Sequence, residues 1–324
     1  MPANLPPQYF EAEKRYRLAE TPEDKLEALE EMLAIMPKHK GTDKLRAELR
    51  AKMAKLRKEA ERKAAGRRGG IYTIKKEGAG QAVLLGLPNV GKSLFFRTLT
   101  GAPSEVADYP FTTRNPVLGM AQIEDIQVQV VDMPPILDDD ARPWFANLLR
   151  STDALLVVLD LVDEPAYQVE IIFQELERFR ISPMGREERI ERRDLQKRTL
   201  LIGNKKDLEG ANEGLEQLRN SYARFPLLPV SSRDGDGLEE VRSELFNALD
   251  IIRVYTKAPG EKPDFSEPLV LRKGTTVEEA AEELHKEFRH RLKYALVWGS
   301  GKFGGQRVAR DHILQDRDVI EFHV

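Results

Sequence analysis

From residue 81 onward the chain alternates short, continuously apolar runs with longer stretches of helical spacing. QAVLLGL (81–87), QVQVVDM (127–133), DALLVVLDL (153–161), TLLIGN (199–204) and PLLPVSS (226–232) each predict a buried strand. An unbroken apolar run, rather than strict alternation, suits a strand covered by helices on both faces. Such strands separated by helical stretches define an α/β, doubly wound domain. A helix over roughly Leu238 to Tyr255 closes it, with Val241, Leu245, Leu249 and Ile252 at helical spacing.

The flanks read differently. Thr21, Pro22 and Asp24 form a capped helix start, with proline at the first helical position and an acid in the first turn. Leu26, Leu29, Leu33 and Met36 recur at helical spacing until Pro37. Gly41 permits a turn, Thr42 can cap a second helix, and Leu45, Leu49, Met53, Leu56 and Ala60 line one face of it. Two short helices bury little surface alone, so this hairpin must pack on something else. GRRGG (66–70) and GAG (78–80) read as breaks before the next unit, and KAPGEKPDFSEP (257–268) as a linker. Beyond it come PLVLRKGTT, a helix EEAAEELHKEFRHRL, then YALVWG and DVIEF, a small mixed domain in which Tyr294 and Trp298 read as core aromatics in preference to base-stacking platforms. The expected limits are 1–70, 80–255 and 265–324.

Composition narrows the function. The 324 residues suit two or three domains, and 41% hydrophobic with 32% charged residues describes a globular chain rather than a disordered one. Without cysteine there are no disulfides, thiolate metal sites or cysteine nucleophiles, and none of the five histidines is paired at HExxH spacing. No run approaches the roughly 20 apolar residues of a membrane span, and the first residues lack a signal-like apolar core. The expectation is a cytoplasmic protein with no membrane partner. The net charge of −3 conceals segregation: Lys38 to Arg68 holds 13 Lys/Arg against 4 acids. A helix-borne basic stripe is a candidate polyanion contact, or else a solvated helix face.

The specific chemistry begins at GLPNVGKS (86–93), a match to GxxxxGK[ST] between a predicted strand and a predicted helix. Gly86 and Gly91 let the backbone wrap a β-phosphate, with Asn89, Val90, Gly91, Lys92, Ser93 and Leu94 as the expected cradle. Lys92 supplies charge to the β/γ oxygens, Ser93 a hydroxyl to Mg²⁺, and the helix N-terminus its dipole. NKKD (204–207) follows a strand, which brings it to the same sheet edge. There Asp207 can accept both hydrogens from guanine N1–H and the 2-amino group, whereas adenine would leave it unpaired. Asp132 ends QVQVVD and can hold Mg²⁺ through water; Thr112 and Thr113 lie in the intervening loop and, taken alone, read as plain turn residues. VSS (230–232) completes a guanine-contacting loop that includes Ser231 and Ser232.

With these residues in place the chain resembles the Obg-like branch of translation-factor-class GTPases, and within it the developmentally regulated GTP-binding proteins. The resemblance covers nearly all of the chain: the basic hairpin, the P-loop GTPase domain, and a C-terminal TGS domain, a small ubiquitin-like β-grasp. It implies binding of GTP and GDP, Mg²⁺-dependent hydrolysis, and association with the ribosome or RNA, not DNA, through the hairpin and the TGS domain. It also implies that Thr113 of YPFTT is a catalytic Mg²⁺ ligand and that Asn204, Lys205, Asp207 and Ser231 form the guanine site. Two departures stand out. The family's DxPG motif reads DMPP here, and Pro135 has no N–H to donate to a γ-phosphate. Ile136 occupies the place of a water-orienting glutamine in signalling GTPases. Slow hydrolysis and poor discrimination between GTP and GDP are expected, the alternative being a guanine-nucleotide-binding module with little productive hydrolysis. In related K⁺-dependent GTPases an asparagine placed like Asn89 holds a monovalent cation; the other reading is that Asn89 tolerates a demanding backbone angle.

Overall fold

The computed structural model describes residues 14–16, 28–29, 31–33, 35, 49, 52–53, 74–101, 105–106, 116–134, 142–301 and 303–323. The chain divides into two units, Met1–Tyr72 and Thr73–Val324. In the first, the described residues are helical, and Leu29, Met32 and Leu49 are buried against Tyr16, Leu33, Ile35 and Met53. Arg15 pairs with Glu31 at 2.5 Å. Thr21, Pro22, Asp24, Gly41, Thr42 and, apart from Lys52, the basic residues of 38–68 lie outside the described residues.

The second unit holds two sheets. The larger is built from β1 (Gln81–Leu85), β2 (Glu105–Val106), β3 (Val117–Ile123), β4 (Ile126–Asp132), β5 (Ala154–Asp160), β6 (Ser182–Met184), β7 (Gln196–Asn204) and β8 (Leu227–Pro229). Its order is β2-β3-β4-β1-β5-β7-β6, with β8 also on β7. Among the described strands of this sheet, only β2–β3 and β3–β4 pair antiparallel. Successive strand residues point to opposite faces, so each strand feeds two cores. Val83, Leu85, Leu155 and Val157 meet α2 (Arg142–Ser151), α3 (Pro165–Arg178) and α4 (Ala211–Ser221). Ala82, Leu84, Leu156 and Val158 meet α1 (Lys92–Thr100) and α5 (Leu238–Leu249). All five strands expected from the apolar runs are present.

The second sheet has the order β10-β9-β13-β11-β12, made of β9 (Ile251–Thr256), β10 (Leu269–Arg272), β11 (Tyr294–Trp298), β12 (Gln306–Val308) and β13 (Asp318–His323). Val277, Ala280 and Ala281 of α6 (Val277–Leu284) cover one face of it.

Five expectations are corrected. The closing helix stops at Leu249, because Asp250 turns left-handed at φ 56°, and the β-branched IIRVYT continues as a strand. The smaller sheet therefore starts at Ile251, and 257–268 is the β9–β10 connection rather than a joint between domains. Gly78–Gly80 is likewise no loose joint: Ala79 N donates to Gln127 O at 2.7 Å, and Gly80 O accepts from Gln129 N at 2.9 Å. The helix EEAAEELHKEFRHRL breaks at His285 into α6 and a short α7 (Lys286–Arg291). Finally, Ala295 and Val297 supply the core from β11, so Tyr294 and Trp298 stand half-buried on the opposite face.

Candidate nucleotide site

The carboxyl ends of β1, β4, β5 and β7 converge on one edge of the large sheet, where ligands of doubly wound folds bind. After β1 the chain turns tightly. A Cβ on Gly86 would lie 2.9 Å from the Val158 carbonyl oxygen, and one on Gly91 would lie 2.4 Å from Asn204 Nδ2. Gly91 also has φ 84°, which only glycine adopts freely. The exposed Asn89 takes φ 67° in the same loop.

Lys92 and Ser93 open α1 opposite the end of β4. Lys92 Nζ lies 2.5 Å from Asp132 Oδ1 and also donates to the Met133 carbonyl; Ser93 Oγ donates to Asp132 Oδ2 at 3.1 Å. The ammonium, hydroxyl and carboxylate are thus brought together. These oxygen donors suit a hard divalent ion such as Mg²⁺. Thr112, Thr113, Pro135 and Ile136 lie outside the described residues.

Asn204, at the end of β7, ties two loops together. Its Nδ2 donates to Val90 O at 2.8 Å, and its Oδ1 accepts from Ser232 N at 3.1 Å and Ser232 Oγ at 2.7 Å. Thr98 Oγ1 of α1 donates to the Ser232 carbonyl at 3.0 Å, closing the ring from the other side. Lys206 N bonds to Val230 O at 3.1 Å, and its side chain pairs with Asp236 at 2.6 Å. Ser231 turns its hydroxyl to Asp234 at 3.0 Å. Asp207 is exposed on the turn after β7, and Leu94 is exposed in the first turn of α1.

One participant escaped the sequence reading. Asp160 ends β5, accepts from Val162 N at 3.1 Å and receives the Lys205 ammonium. Parallel pairing of Asp160 with Asn204 brings it there from 45 residues away. The run DALLVVLDL that marked β5 carries this aspartate one residue before its end, and a charge set within an apolar run is the signal the sequence offered.

A glycine-rich strand–loop–helix and an NKKD turn, joined at one sheet edge and followed by a β-grasp sheet, define the class: a P-loop GTP-binding protein with a TGS domain. Residues 81–205 match the family described as 50S ribosome-binding GTPase, and residues 252–324 match the TGS domain. An uncharacterized GTP-binding protein of Methanocaldococcus jannaschii is 30% identical over 92% of this chain and 92% of its own length. Ribosome-interacting GTPase 1 of Saccharomyces cerevisiae is 28% identical, covering 92% of this chain and 97% of the relative. Developmentally-regulated GTP-binding protein 1 of Xenopus laevis is 28% identical, covering 90% and 96%. The solved Schizosaccharomyces pombe YchF GTPase shares the fold at TM-score 0.52 and 12% identity, over 77% of this chain and 99% of that one. The chain belongs to the developmentally regulated, Obg-like family of GTP-binding proteins.

Proposed function

We propose that this GTP-binding protein is a slow, Mg²⁺-dependent GTPase whose nucleotide state gates its association with the ribosome or its RNA. The observation that carries the enzymatic part is the shared position of Lys92, Ser93 and Asp132, with the NKKD turn stitched to the same loop through Asn204. Lys92 and Asp132 neutralise each other in a site where neither is well solvated. A polyphosphate that took Lys92 would leave Asp132, with the Ser93 hydroxyl and Thr113, to hold Mg²⁺, so that no charge would be stranded. When bound, the ion would neutralise charge on the β/γ oxygens. Lys92 would stabilise the charge developing on transfer. Val90, Gly91 and Leu94 would offer amides to the phosphates, while Asn204, Lys205, Asp207, Ser231 and Ser232 would read guanine.

Slowness rests on Pro135, which lacks the N–H that would bond a γ-phosphate, and on Ile136, which cannot orient water. The second reading, a nucleotide-binding module without productive hydrolysis, rests on Pro135 alone. Single-turnover hydrolysis with Lys92→Ala as the blank decides between them: release above the blank supports the GTPase, and equality supports the module. Asn89 is further proposed as a K⁺ ligand near the phosphates. Turnover faster in KCl than in NaCl supports that role, and equal turnover leaves Asn89 its left-handed backbone function alone.

Ribosome association draws on the likeness to the yeast ribosome-interacting GTPase and on the basic residues of 38–68. Co-sedimentation with ribosomal subunits under GTP, GDP and nucleotide-free conditions tests it, and binding that ignores the nucleotide removes the gating.

A further inference from the structure

The β3–β4 hairpin touches both the nucleotide site and the TGS sheet. Its pairing runs unbroken from Val117↔Asp132 to Ile123↔Ile126. At about 3.4 Å per residue, its two ends lie roughly 20 Å apart. At one end Asp132 holds Lys92 and Ser93. At the other, the turn of Glu124 and Asp125 is gripped by the TGS domain, and Glu124 takes a left-handed φ of 49° there.

The grip centres on Arg253 of β9, whose side chain is 4% exposed. Its Nη1 donates to Glu124 and, at 2.8 Å, to Asp125 Oδ1. Its Nε and Nη2 form a fork on Asp316 at 3.1 and 2.7 Å, and the guanidinium lies 4.6 Å over the Phe246 ring of α5. Arg317 adds a second bond to Glu124 at 2.5 Å, and the Tyr255 hydroxyl donates to Asp125. Bonding to Asp316, Glu124 and Asp125 raises the Arg253 pKa, while hydrogen bonds to the cations and to Tyr255 pull those carboxylates below their usual range. Every charge in the cluster has an opposite partner. A buried guanidinium satisfied on three carboxylates is costly to break on either side, so the turn and the small sheet move as one body.

We propose that this hairpin is the connecting rod between nucleotide and TGS domain: exchange of Asp132's partner at one end is felt by β9 and β13 through Glu124, Asp125 and Arg253 at the other. The two end states are Asp132 paired with Lys92 and Asp132 released by a polyphosphate. By linkage, whatever docks on the TGS domain alters nucleotide affinity by the same factor as nucleotide alters docking, typically about 5- to 150-fold. The inference rests on the nucleotide-site reading above, and not on hydrolysis or ribosome binding.

Amide hydrogen exchange on the full chain tests it, after calorimetry has established that GDP and a non-hydrolysable GTP analogue bind with Mg²⁺. Absence of binding heat would overturn the site reading itself. Given binding, amides of 251–256 and 318–323 should differ at least about five-fold in protection between the nucleotide-free and nucleotide-bound forms. In the double variant Glu124→Gln/Asp125→Asn that difference should vanish while nucleotide still protects 86–95. A wild type with no nucleotide-dependent change in the small sheet overturns the proposal, as does a folded double variant that keeps the full change. If the double variant does not fold, Tyr255→Phe removes one donor from Asp125 and should reduce the transmitted difference; an undiminished one counts against the rod.

Discussion

The Asp132 side chain is 9% exposed and pairs with that of Lys92, which is 11% exposed. Two such groups can part only if each finds a new partner, which makes nucleotide and Mg²⁺ binding interdependent. Asp132→Asn should therefore act with opposite signs. With Mg²⁺, GTP binding weakens about ten-fold because one ion contact is lost; with Mg²⁺ chelated, it strengthens about ten-fold because no carboxylate faces the phosphates. Titration of a fluorescent nucleotide in both buffers reads this, and a loss in both would mean that Asp132 merely supports the fold. Asn204 is a different kind of residue. Asn204→Ala would strip the partners from Val90 O and Ser232 N, and leaving buried polar groups unpaired costs about 1–3 kcal/mol each. GDP affinity should fall on the order of 100-fold, measured by calorimetry; an unchanged affinity would deny Asn204 its bridging part. The glycine loop with Lys92 and the NKKD turn were legible in the sequence because each is a run of adjacent residues, and the structure brings the two runs to one sheet edge through Asn204. Asp160 was not legible, since its partner Lys205 reaches it only through pairing of two parallel strands.

Among the elements, β7 shows how a strand can be anchored by one buried cation. Lys197 near its start donates to the carbonyls of Arg150 and Thr152, at the end of α2, at 2.7 and 2.6 Å, and to Arg193 O. Carbonyls at a helix end have no intrahelical partner, so this ammonium satisfies groups that would otherwise be orphaned. Burial lowers its pKa from 10.5 to about 8. Below about pH 8 the lysine is charged in both folded and unfolded chains, and the full cost of burying it is present. Between about pH 8 and 10.5 the unfolded chain holds more protons, so this group's contribution to stability rises with pH. After allowance for solvent screening the gain is about 2 kcal/mol. Urea unfolding of wild type and Lys197→Met across that window should show the wild type gaining on the variant; parallel curves would contradict the assignment. At this scale the long strands were readable because burial on both faces leaves continuous apolar runs. The end of α5 was misread, because Ile252 continues the helical spacing of Val241, Leu245 and Leu249 although Asp250 has already reversed the backbone. The three-residue β12 carries too little pattern to be noticed, and the Arg253 cluster joins groups more than 120 residues apart.

For the whole molecule the governing fact is where the charge lies. The net is −3, yet Lys38–Arg68 alone carries nine more basic than acidic residues, so the remainder is strongly acidic. An acidic body is repelled by a polyanion, so the proposed attraction to RNA would be concentrated in the basic segment. Phosphate contacts release counterions, and the salt dependence of binding counts them: log K falls with log[salt] at a slope of about −0.7 to −0.9 per contact. Neutralising Lys52, Lys55, Arg57 and Lys58 together to glutamine should flatten that slope by about three if all four face phosphates. Affinity for ribosomal subunits should fall most at low salt, where the lost contacts count most. Because these residues are remote in sequence from the P-loop and the NKKD turn, GDP affinity should stay at the wild-type value. Sedimentation binding over a series of KCl concentrations gives both slope and affinity. A weaker complex with an unchanged slope would mean that the four residues support the hairpin without touching phosphate. An unchanged complex would move the contact away from the basic stripe, to a surface that recognises its partner by shape rather than by charge.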